Sequence, residues 1–370
     1  MAAELFPRAD RSTGMDPLDT GRARQSTTDP APAARTTART AWTARTAWTA
    51  RTARPARTAT AWSAGLLLAA VAVVVGCRAA GVDAYTPVPQ LLAFLPWLLV
   101  PAVLALLLAV LARHRALVVC AVVVLAVTGW YVRPYGAGAT HPRGPVVAQL
   151  RVLTANVEFG QATPDLIGTV RREKPDLVFV QECARACSDA LAARIPRADY
   201  PYRHVVEGDL AHGSAILSVH PIRNSPGIPG ELAMPGAEAR IGGRAVRLQL
   251  AHPLPPIPGG IGSWREELGL VRAYAADSRG TPTILAGDFN ATQDHAAFRR
   301  ILDAGALHDS ARVAGAFRTP TWPATSPRPF GAQVDHVLVS DDFGVLDARI
   351  LDFADTDHRA LLVRLELHGG

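Results

Sequence analysis

Long runs of uncharged, mostly apolar residues dominate one stretch in the first half of the chain. They cover residues 59–77, 85–112 and 116–132, and none contains Asp, Glu, Lys or Arg. An apolar helix of about 20 residues is long enough to cross a lipid bilayer. Buried core helices are the alternative, but three such runs in succession fit that interpretation poorly. The pattern predicts three transmembrane helices within residues 59–132.

The segments on either side of these runs have a different composition. Residues 1–58 are rich in Ala, Thr, Arg and Pro and contain few large apolar residues, which predicts a disordered basic tail. Residues 133–146 contain several Gly and Pro residues and are expected to form a linker. Residues 147–370 have the alternating pattern of a folded domain.

Short apolar runs separated by polar turns predict the strands of this domain. These strands are expected at residues 147–157, 176–181, 214–219, 244–251, 284–286, 334–339 and 360–367. One helix is expected to begin with Thr163 as its cap, and another with Ser263 and Glu266 as a capping box. Strands outnumber helices and alternate with them irregularly, which favours an α/β sandwich.

The charge of the chain is concentrated at its front. Residues 1–146 carry 15 Arg and 6 acidic residues, whereas residues 147–370 carry 23 basic and 26 acidic residues. A slightly acidic domain argues against bulk nucleic-acid binding, which usually requires a basic surface. The Arg-rich tail, together with Arg113 and Arg115 between the second and third runs, is expected on the cytoplasmic side. Three spans then place residues 133–370 outside the cytoplasm.

Polar residues follow many of the predicted strands at the point where each strand ends or begins. They are Asn156, Glu182, His252, the pair Asp288 and Asn290, the pair Asp335 and His336, and the pair Asp357 and His358. Each alone could be an ordinary turn or cap residue. Together they recur at the place where phosphate and metal sites are built in such sheets.

These motifs resemble the endonuclease/exonuclease/phosphatase family, which includes DNase I, over about residues 151–367. The matching residues are Thr154-Ala155-Asn156-Val157, Val180-Gln181-Glu182, Gly213-Ser214-Ala215-Ile216-Leu217-Ser218, Ala251-His252-Pro253, Gly287-Asp288-Phe289-Asn290, Thr321-Trp322-Pro323, Val334-Asp335-His336 and Thr356-Asp357-His358-Arg359. The resemblance implies a DNase I-like four-layer α/β sandwich, here preceded by three transmembrane helices, and a metal-dependent hydrolase acting on phosphoric ester bonds.

The resemblance also implies a cation site. Glu182 would bind the catalytic divalent cation, helped by Asn156 and Asp357. The expected ion is Mg²⁺, with Mn²⁺ as the alternative, because hard oxygen ligands suit both.

The remaining motif residues would act on the phosphate. His358, oriented by Asp335, would be a base or a charge stabiliser, and Asp288 would position or deprotonate the attacking water. Asn290 and His252 would contact phosphate oxygens. The sequence leaves open whether Asp288 or His358 is the base, and it gives His336 no catalytic role.

The three apolar runs followed by this domain resemble one branch of the family, the membrane-anchored glycopeptide-resistance (VanJ-like) proteins. His252-Pro253-Leu254-Pro255-Pro256 and Trp264-Arg265-Glu266-Glu267-Leu268 carry this resemblance. It implies action at the outer membrane surface, on a lipid-linked pyrophosphate or another cell-wall lipid intermediate.

Two other functions remain open from the sequence alone. One is an extracytoplasmic nuclease on the same scaffold, and the other is a non-catalytic domain that binds a lipid or a partner protein. The spacing of Cys183 and Cys187 leaves a disulfide between them undecided. Cys77 and Cys120 lie in apolar runs and are expected to be packing residues.

Overall fold

The computed structural model describes residues 36–370, with side chains from residue 56 onward. The chain divides into two compact units, Met1–Pro55 and Ala56–Gly370. The first helix, α1 (Thr36–Ala80), begins inside the predicted disordered tail, so residues 36–58 are helical rather than irregular. Alanine, the best helix former, is abundant there, which explains the difference. Residues 1–35 of that tail lie outside the described residues.

The apolar runs form a set of helices of unequal length. After α1 come α2 (Val88–Ala93), a short 3₁₀ helix (Leu95–Leu98), α3 (Leu99–Leu111) and α4 (Arg115–Val132). Within the described chain, two helical stretches, Ala56–Ala80 and Arg115–Val132, are long and apolar enough to cross a membrane, judged by length and composition. Leu95–Leu111 is apolar but shorter.

The second predicted span is therefore not one continuous helix. The chain leaves the α-helical hydrogen-bond pattern at Phe94 and continues through a 3₁₀ turn that contains Pro96. Proline lacks the backbone N–H that an α-helix needs at an interior position. A prediction based only on the absence of charge over residues 85–112 missed this interruption.

The domain is built on two six-stranded mixed sheets. In order across the first sheet, the strands are β11 (Phe343–Leu351), β12 (Ala360–His368), β1 (Val146–Asn156), β2 (Leu177–Gln181), β4 (Ser214–Ser218) and β3 (Tyr202–Val206). In order across the second sheet, they are β5 (Ile222–Ile228), β6 (Met234–Ile241), β7 (Arg244–Ala251), β8 (Thr283–Asp288), β10 (Asp335–Val339) and β9 (His308–Asp309).

Helices cover the outer faces of both sheets. They are α5 (Thr163–Glu173), α6 (Arg185–Arg194), α7 (Ile261–Asp277), α8 (Ala296–Gly305) and the short α9 (Ser310–Val313). One apolar cluster, including Phe179 and Leu248, lies between the sheets. A second joins α5 and α6 to the first sheet, and a third joins α7 and α8 to the second sheet. The layers therefore run helix, sheet, sheet, helix, which confirms the predicted α/β sandwich.

The predicted elements agree closely with the observed ones where the apolar pattern is strong. Six of the predicted strands correspond to β1, β2, β4, β7, β10 and β12 within one residue at either end, and the run 284–286 lies inside β8. Both predicted caps are wrong. Ala162 precedes α5, so Thr163 is its first helical residue, and α7 begins at Ile261 after Gly260. The pattern also missed β3, β5, β6, β9 and β11, which are short or partly exposed.

The helical segment contacts the sandwich at one edge. Arg78 of α1 pairs with Asp294, and the Gln90 side chain of α2 donates to the Pro256 carbonyl. Arg318 donates to the carbonyl of Val132 at the end of α4 (2.8 Å). These contacts lie in the loops that follow β7 and β8 or precede β10, at the ends of those strands where Asp288 and Asp335 lie.

The connection between α4 and β1 runs along the flank of the sandwich. The Tyr135 backbone N–H donates to Gln293, in the loop that follows β8 (3.0 Å). Further along, the His141 N–H donates to Asp341 (3.4 Å), just before β11 begins. β1 therefore starts at the far end of the sandwich, and Asn156 at its end points back toward the helical segment.

Candidate active site

Strand ends place the predicted polar residues together. β1 runs parallel to β2, with Asn156 opposite Gln181, so Asn156 and Glu182 leave the first sheet side by side. In the second sheet, Asp335 of β10 lies directly opposite Asp288 of β8. The two sheets thus deliver carboxylates and an amide to one groove at the same edge.

Gly287 allows β7 and β8 to approach each other closely beside this groove. A Cβ atom at residue 287 would lie 1.9 Å from the carbonyl oxygen of Ala251, so a larger residue could not occupy the position. The close approach of β7 and β8 places His252, which follows Ala251, beside Asp288. Glycine is required here by backbone contact rather than by a turn.

Asn156 links the two carboxylates that face it across the groove. Its Nδ2 donates to Glu182 Oε1 (3.0 Å) and to Asp288 Oδ2 (3.2 Å). Its Oδ1 accepts from the backbone N–H of Glu158 (3.0 Å). The amide orientation follows from this network. Asn156 therefore holds the two carboxylates in place, and its expected contact with the cation stays a prediction.

Glu182 has a strained backbone and a well-fixed side chain. Its φ angle of 56° is in the left-handed region, which is uncommon for a residue other than glycine and is typical of functional sites. Glu182 Oε2 accepts from the Phe159 backbone N–H (3.1 Å). The adjacent Cys183 forms a disulfide with Cys187, which resolves the pairing that the sequence left open.

His358 lies between two buried carboxylates. Its Nδ1 is 3.0 Å from Asp335 Oδ2, and its Nε2 is 3.6 Å from Asp288 Oδ2. Burial lowers the pKa of His358, but the charges of Asp335 and Asp288 outweigh it and raise the pKa to about 10. Burial, together with the charge of Asp335, raises the pKa of Asp288 to about 7 even though His358 opposes the shift. His358 is therefore an imidazolium at neutral pH.

His252 is buried beside the same carboxylates without a close partner. Its Nε2 lies 3.8 Å from Glu182 Oε1 and 4.0 Å from Asp288 Oδ2, beyond hydrogen-bond distance. Its Nδ1 has no hydrogen-bond partner among the described residues. Burial and the nearby His358 lower the pKa of His252 to about 3, so its ring is neutral. A buried, unpaired imidazole at this place is ready to contact a ligand oxygen.

Asp357 and Asn290 lie at the margins of the groove. Asp357 Oδ1 is 3.7 Å from His358 Nε2, and its Oδ2 accepts from the indole N–H of Trp322 (2.8 Å). Asn290 donates instead to the carbonyl of Pro253 (3.0 Å), and its backbone N–H donates to Asp288 Oδ1 (2.8 Å). In this arrangement Asn290 supports Asp288 and the loop after His252, and its expected contact with a phosphate stays a prediction.

Sequence reasoning missed several residues that support the site. Thr321 Oγ1 accepts from the backbone N–H of Asp335 (3.1 Å), and Thr356 Oγ1 accepts from that of His358 (3.1 Å). Trp322 holds Asp357. Thr321, Trp322 and Thr356 all belong to the matching motifs, but their roles depend on contacts with residues that are distant in the chain or adjacent at a turn.

The groove has the donor chemistry of a divalent-cation site. Oxygen and nitrogen atoms of Asp288, Asp335 and His358 lie within 4.8 Å of one another. Protonation of His358 removes its lone pair, so the imidazole acts as a charge partner rather than a ligand. Asp335 Oδ1 is buried without a hydrogen-bond partner among the described residues. Glu182 and Asp288 add carboxylates that a cation would neutralise, so the residues present fit such an ion.

The chain belongs to the endonuclease/exonuclease/phosphatase family, whose family model matches residues 153–358. Members of this family are metal-dependent phosphoester hydrolases. No curated protein matches the chain.

Several solved structures are similar in fold. A D. rerio TDP2 humanized by 14 mutations shares 13% identity, with 59% of this chain and 98% of that chain covered and a TM-score of 0.48. An endonuclease/exonuclease/phosphatase family protein of Bacteroides thetaiotaomicron shares 19% identity over 60% and 99%, with a TM-score of 0.46. A mannosyl-6-phosphatase of the same organism shares 19% identity over 58% and 99%, with a TM-score of 0.44.

Proposed function

We propose that this protein is a membrane-anchored, divalent-metal-dependent phosphohydrolase that acts at the extracytoplasmic face on a lipid-linked phosphoric ester or pyrophosphate. One observation carries the proposal. The edge of the sandwich that holds Glu182, Asp288 and His358 is also the edge that contacts the apolar helices. A groove at that edge would face the surface of the membrane in which the helices lie.

In this proposal Glu182 holds the cation, with Asn156 beside it and Asp357 nearby. The preferred ion is Mg²⁺, with Mn²⁺ as the alternative, because the groove offers hard oxygen ligands. The bound ion would neutralise negative charge on the phosphate. Asn156 donates to both Glu182 and Asp288, so it keeps the cation ligand and the base side by side.

Two side chains have separate roles in the proposed reaction: one accepts a proton, and the other stabilises the negative charge that develops on the phosphate. Asp288 accepts a proton from the attacking water in its ionised form, which predominates above about pH 7. His358 presents its Nε2–H to the phosphate as a cation held by Asp335, so it stabilises negative charge rather than removing a proton. His252 would contact a second phosphate oxygen through its ring.

Membrane anchoring and orientation are supported by separate features. The apolar stretches Ala56–Ala80 and Arg115–Val132 satisfy the length and composition of membrane spans. Arg113 and Arg115 lie at the end of the helical segment away from the sandwich, as the positive-inside rule expects for a cytoplasmic turn. The disulfide between Cys183 and Cys187 fits an oxidising compartment.

The substrate class is proposed from the resemblance to the VanJ-like branch and from the position of the groove. A lipid-linked cell-wall intermediate carries its phosphate at the membrane surface, where the groove would lie. On this proposal the protein contributes to antibiotic resistance by changing such an intermediate.

The test uses the full chain in detergent with Mg²⁺ and three probes: a polyprenyl pyrophosphate, a phospholipid and supercoiled plasmid DNA. We expect phosphate release from a lipid probe, lost in Glu182→Gln and His358→Ala but retained in the surface control Glu238→Gln. Efficient plasmid nicking without lipid hydrolysis would support a nuclease instead. Unchanged hydrolysis in both site variants would contradict the assigned site.

Metal binding and topology have their own measurements. Mg²⁺ should raise the unfolding temperature of the wild type more than that of Glu182→Gln, because a ligand that binds only the folded state stabilises it. Equal shifts would remove Glu182 from the cation site. A reporter enzyme fused after Gly370 should be active only outside the cytoplasm, and a cytoplasmic signal would contradict the proposed orientation.

A further inference from the structure

Two loops that carry active-site residues have exposed apolar side chains at their tips. Ile257 lies in the turn that follows His252 and is 57% exposed. Phe330 lies in the loop between Trp322 and Asp335 and is 51% exposed. Large apolar side chains exposed at the rim of a polar groove are a common sign of an interaction surface.

Both tips lie against the helical segment. The side chain of Gln90 donates to the carbonyl of Pro256, the residue next to Ile257. The ring of Phe330 stacks on the ring of Trp97, with centroids 4.5 Å apart and an interplanar angle of 14°. The first loop therefore meets the helical segment at α2, and the second meets it at the 3₁₀ turn between α2 and α3.

The surface continues from these loops onto the apolar helices. Val100, one helical turn beyond Trp97, is 59% exposed, and Leu107 further along α3 is 60% exposed. A cavity of about 300 Å³ lies between Val100 and Gly331, next to Phe330. Exposed apolar side chains therefore occur both on α3 and at the tips of the two loops.

We propose that Ile257 and Phe330 form a lipid-contacting rim that enters the interfacial layer of the same bilayer that holds the helices. The inference rests on the proposed function and deepens it. With the rim in the bilayer, the groove would take the phosphate of a lipid directly from the membrane surface, so the substrate would be a phosphorylated amphiphile.

Charge favours a lipid surface over a protein partner as the occupant. Residues 253–260, around Ile257, contain no charged side chain, and residues 319–333, around Phe330, contain one, Arg328. An apolar tip with no acidic residue in its own loop segment suits a surface of negatively charged lipid headgroups. The aromatic side chains of Trp97 and Phe330 also suit the interfacial layer, where such rings are common.

The first test measures the position of the rim without using hydrolysis. Spin labels are placed on single cysteines at Ile257, Phe330, Leu107 or Leu346 in the full chain. The background carries Cys77→Ala and Cys120→Ala and keeps the native disulfide. The protein is reconstituted in nanodiscs that contain phosphatidylglycerol, and power saturation compares accessibility to oxygen with accessibility to a water-soluble nickel chelate.

Labels at Ile257, Phe330 and Leu107 should be more accessible to oxygen than to the nickel chelate. The label at Leu346 should be more accessible to the nickel chelate. Leu346 is a matched control because it is an exposed apolar residue, 44% accessible, on β11 away from the rim. If the labels at Ile257 and Phe330 are more accessible to the nickel chelate while the label at Leu107 is more accessible to oxygen, the proposed rim is wrong but the membrane anchoring is not. A water-exposed Leu107 would instead contradict the membrane anchoring on which the proposed function depends.

A second test separates a lipid rim from a chance apolar exposure. In the double variant Ile257→Asp and Phe330→Asp, the ratio of turnover on a lipid phosphate in nanodiscs to turnover on bis(p-nitrophenyl) phosphate should fall roughly tenfold. Leu346→Asp should leave that ratio unchanged. An unchanged ratio in the double variant would overturn the rim.

Discussion

Two buried histidine–aspartate pairs lie on opposite faces of the same strand, β10. On one face Asp335 holds His358, with Nδ1 and Oδ2 3.0 Å apart. On the other face, the next residue, His336, has its Nδ1 3.0 Å from Asp309 Oδ2. In each pair nearby carboxylates raise the pKa of the histidine despite burial. The two pairs are alike in residue type, distance and burial.

Their second ring nitrogens differ. Nε2 of His336 is bonded to the carbonyl of Ala291 (3.0 Å), and its ring packs against Phe289 and Phe298. Among the residues that the structure describes, Nε2 of His358 has the carboxylates of Asp288 and Asp357 at 3.6 and 3.7 Å and makes no closer hydrogen bond.

A histidine–aspartate pair becomes a candidate for chemistry when one ring nitrogen remains available inside a charged groove. The pair that is fully bonded and enclosed by aromatic rings has the features of a structural element.

The largest expected effect is a difference in kcat between variants of the two histidines. His358→Ala should lower kcat on bis(p-nitrophenyl) phosphate by roughly 10³-fold, because the charge beside the phosphate is lost. His336→Gln, which keeps a donor toward Asp309, should change kcat by less than about threefold. Comparable losses in two well-folded variants would show that the comparison of the two pairs is wrong.

The next effect concerns the role of Asp288. Because its pKa is about 7, Asp288 is protonated and cannot accept a proton at lower pH, so kcat should rise as the pH increases through 7. Asp288→Asn should lower kcat roughly 10²-fold and remove this rise. A pH–rate profile measures both. Persistence of the same rise in Asp288→Asn would assign the base to another group.

A smaller effect is expected from the structural pair. Asp309→Asn removes the charge that faces His336 and should lower the free energy of unfolding by about 1.5–3 kcal/mol, the contribution typical of a hydrogen bond to a charged group. Thermal unfolding of the full chain in detergent gives the measurement, with Asp189→Asn as an exposed control. Loss of activity without loss of stability would place Asp309 in the site.

The smallest expected effect is the pH dependence of that stability. Burial lowers the pKa of His336, but Asp309 outweighs it, so the folded-state pKa is above the unfolded value of about 6.5. The contribution is therefore fully present below pH 6.5 and is lost as the pH rises through the folded-state pKa. The difference in unfolding temperature between the wild type and Asp309→Asn should shrink as the pH increases from 6 to 9. A difference that grows with pH would contradict the charged pair.

Much of the sandwich could be predicted because its buried strands have a recognisable apolar pattern within a few residues of sequence. The apolar runs that form β2, β7 and β8 are followed directly by polar residues. Both the strand and the candidate site residue at its end could therefore be predicted. The edge strands β3 and β5 were missed because their side chains are largely exposed and carry no clear alternation. The broken second apolar run was missed because charge alone was considered and Pro96 was not.

The candidate site was predicted as a set of residues but not as an arrangement. Motif residues identified Asn156 and Asn290, yet the sequence could not show that the Asn156 amide donates to two carboxylates or that Asn290 turns toward Pro253. These orientations depend on the hydrogen-bond partners that folding brings near. The same limit left the base unassigned, because the pKa values of Asp288 and His358 depend on burial and on each other.

The sequence by itself determined the composition of the apolar runs, the strands of the core and the polar residue types at their ends, because these depend on neighbours within a few positions. Only the tertiary structure decided that the groove and the helix contacts share one edge of the sandwich. It also decided that His358 rather than His336 keeps a ring nitrogen available. Both depend on contacts between residues far apart in the chain, where backbone direction and burial set the geometry.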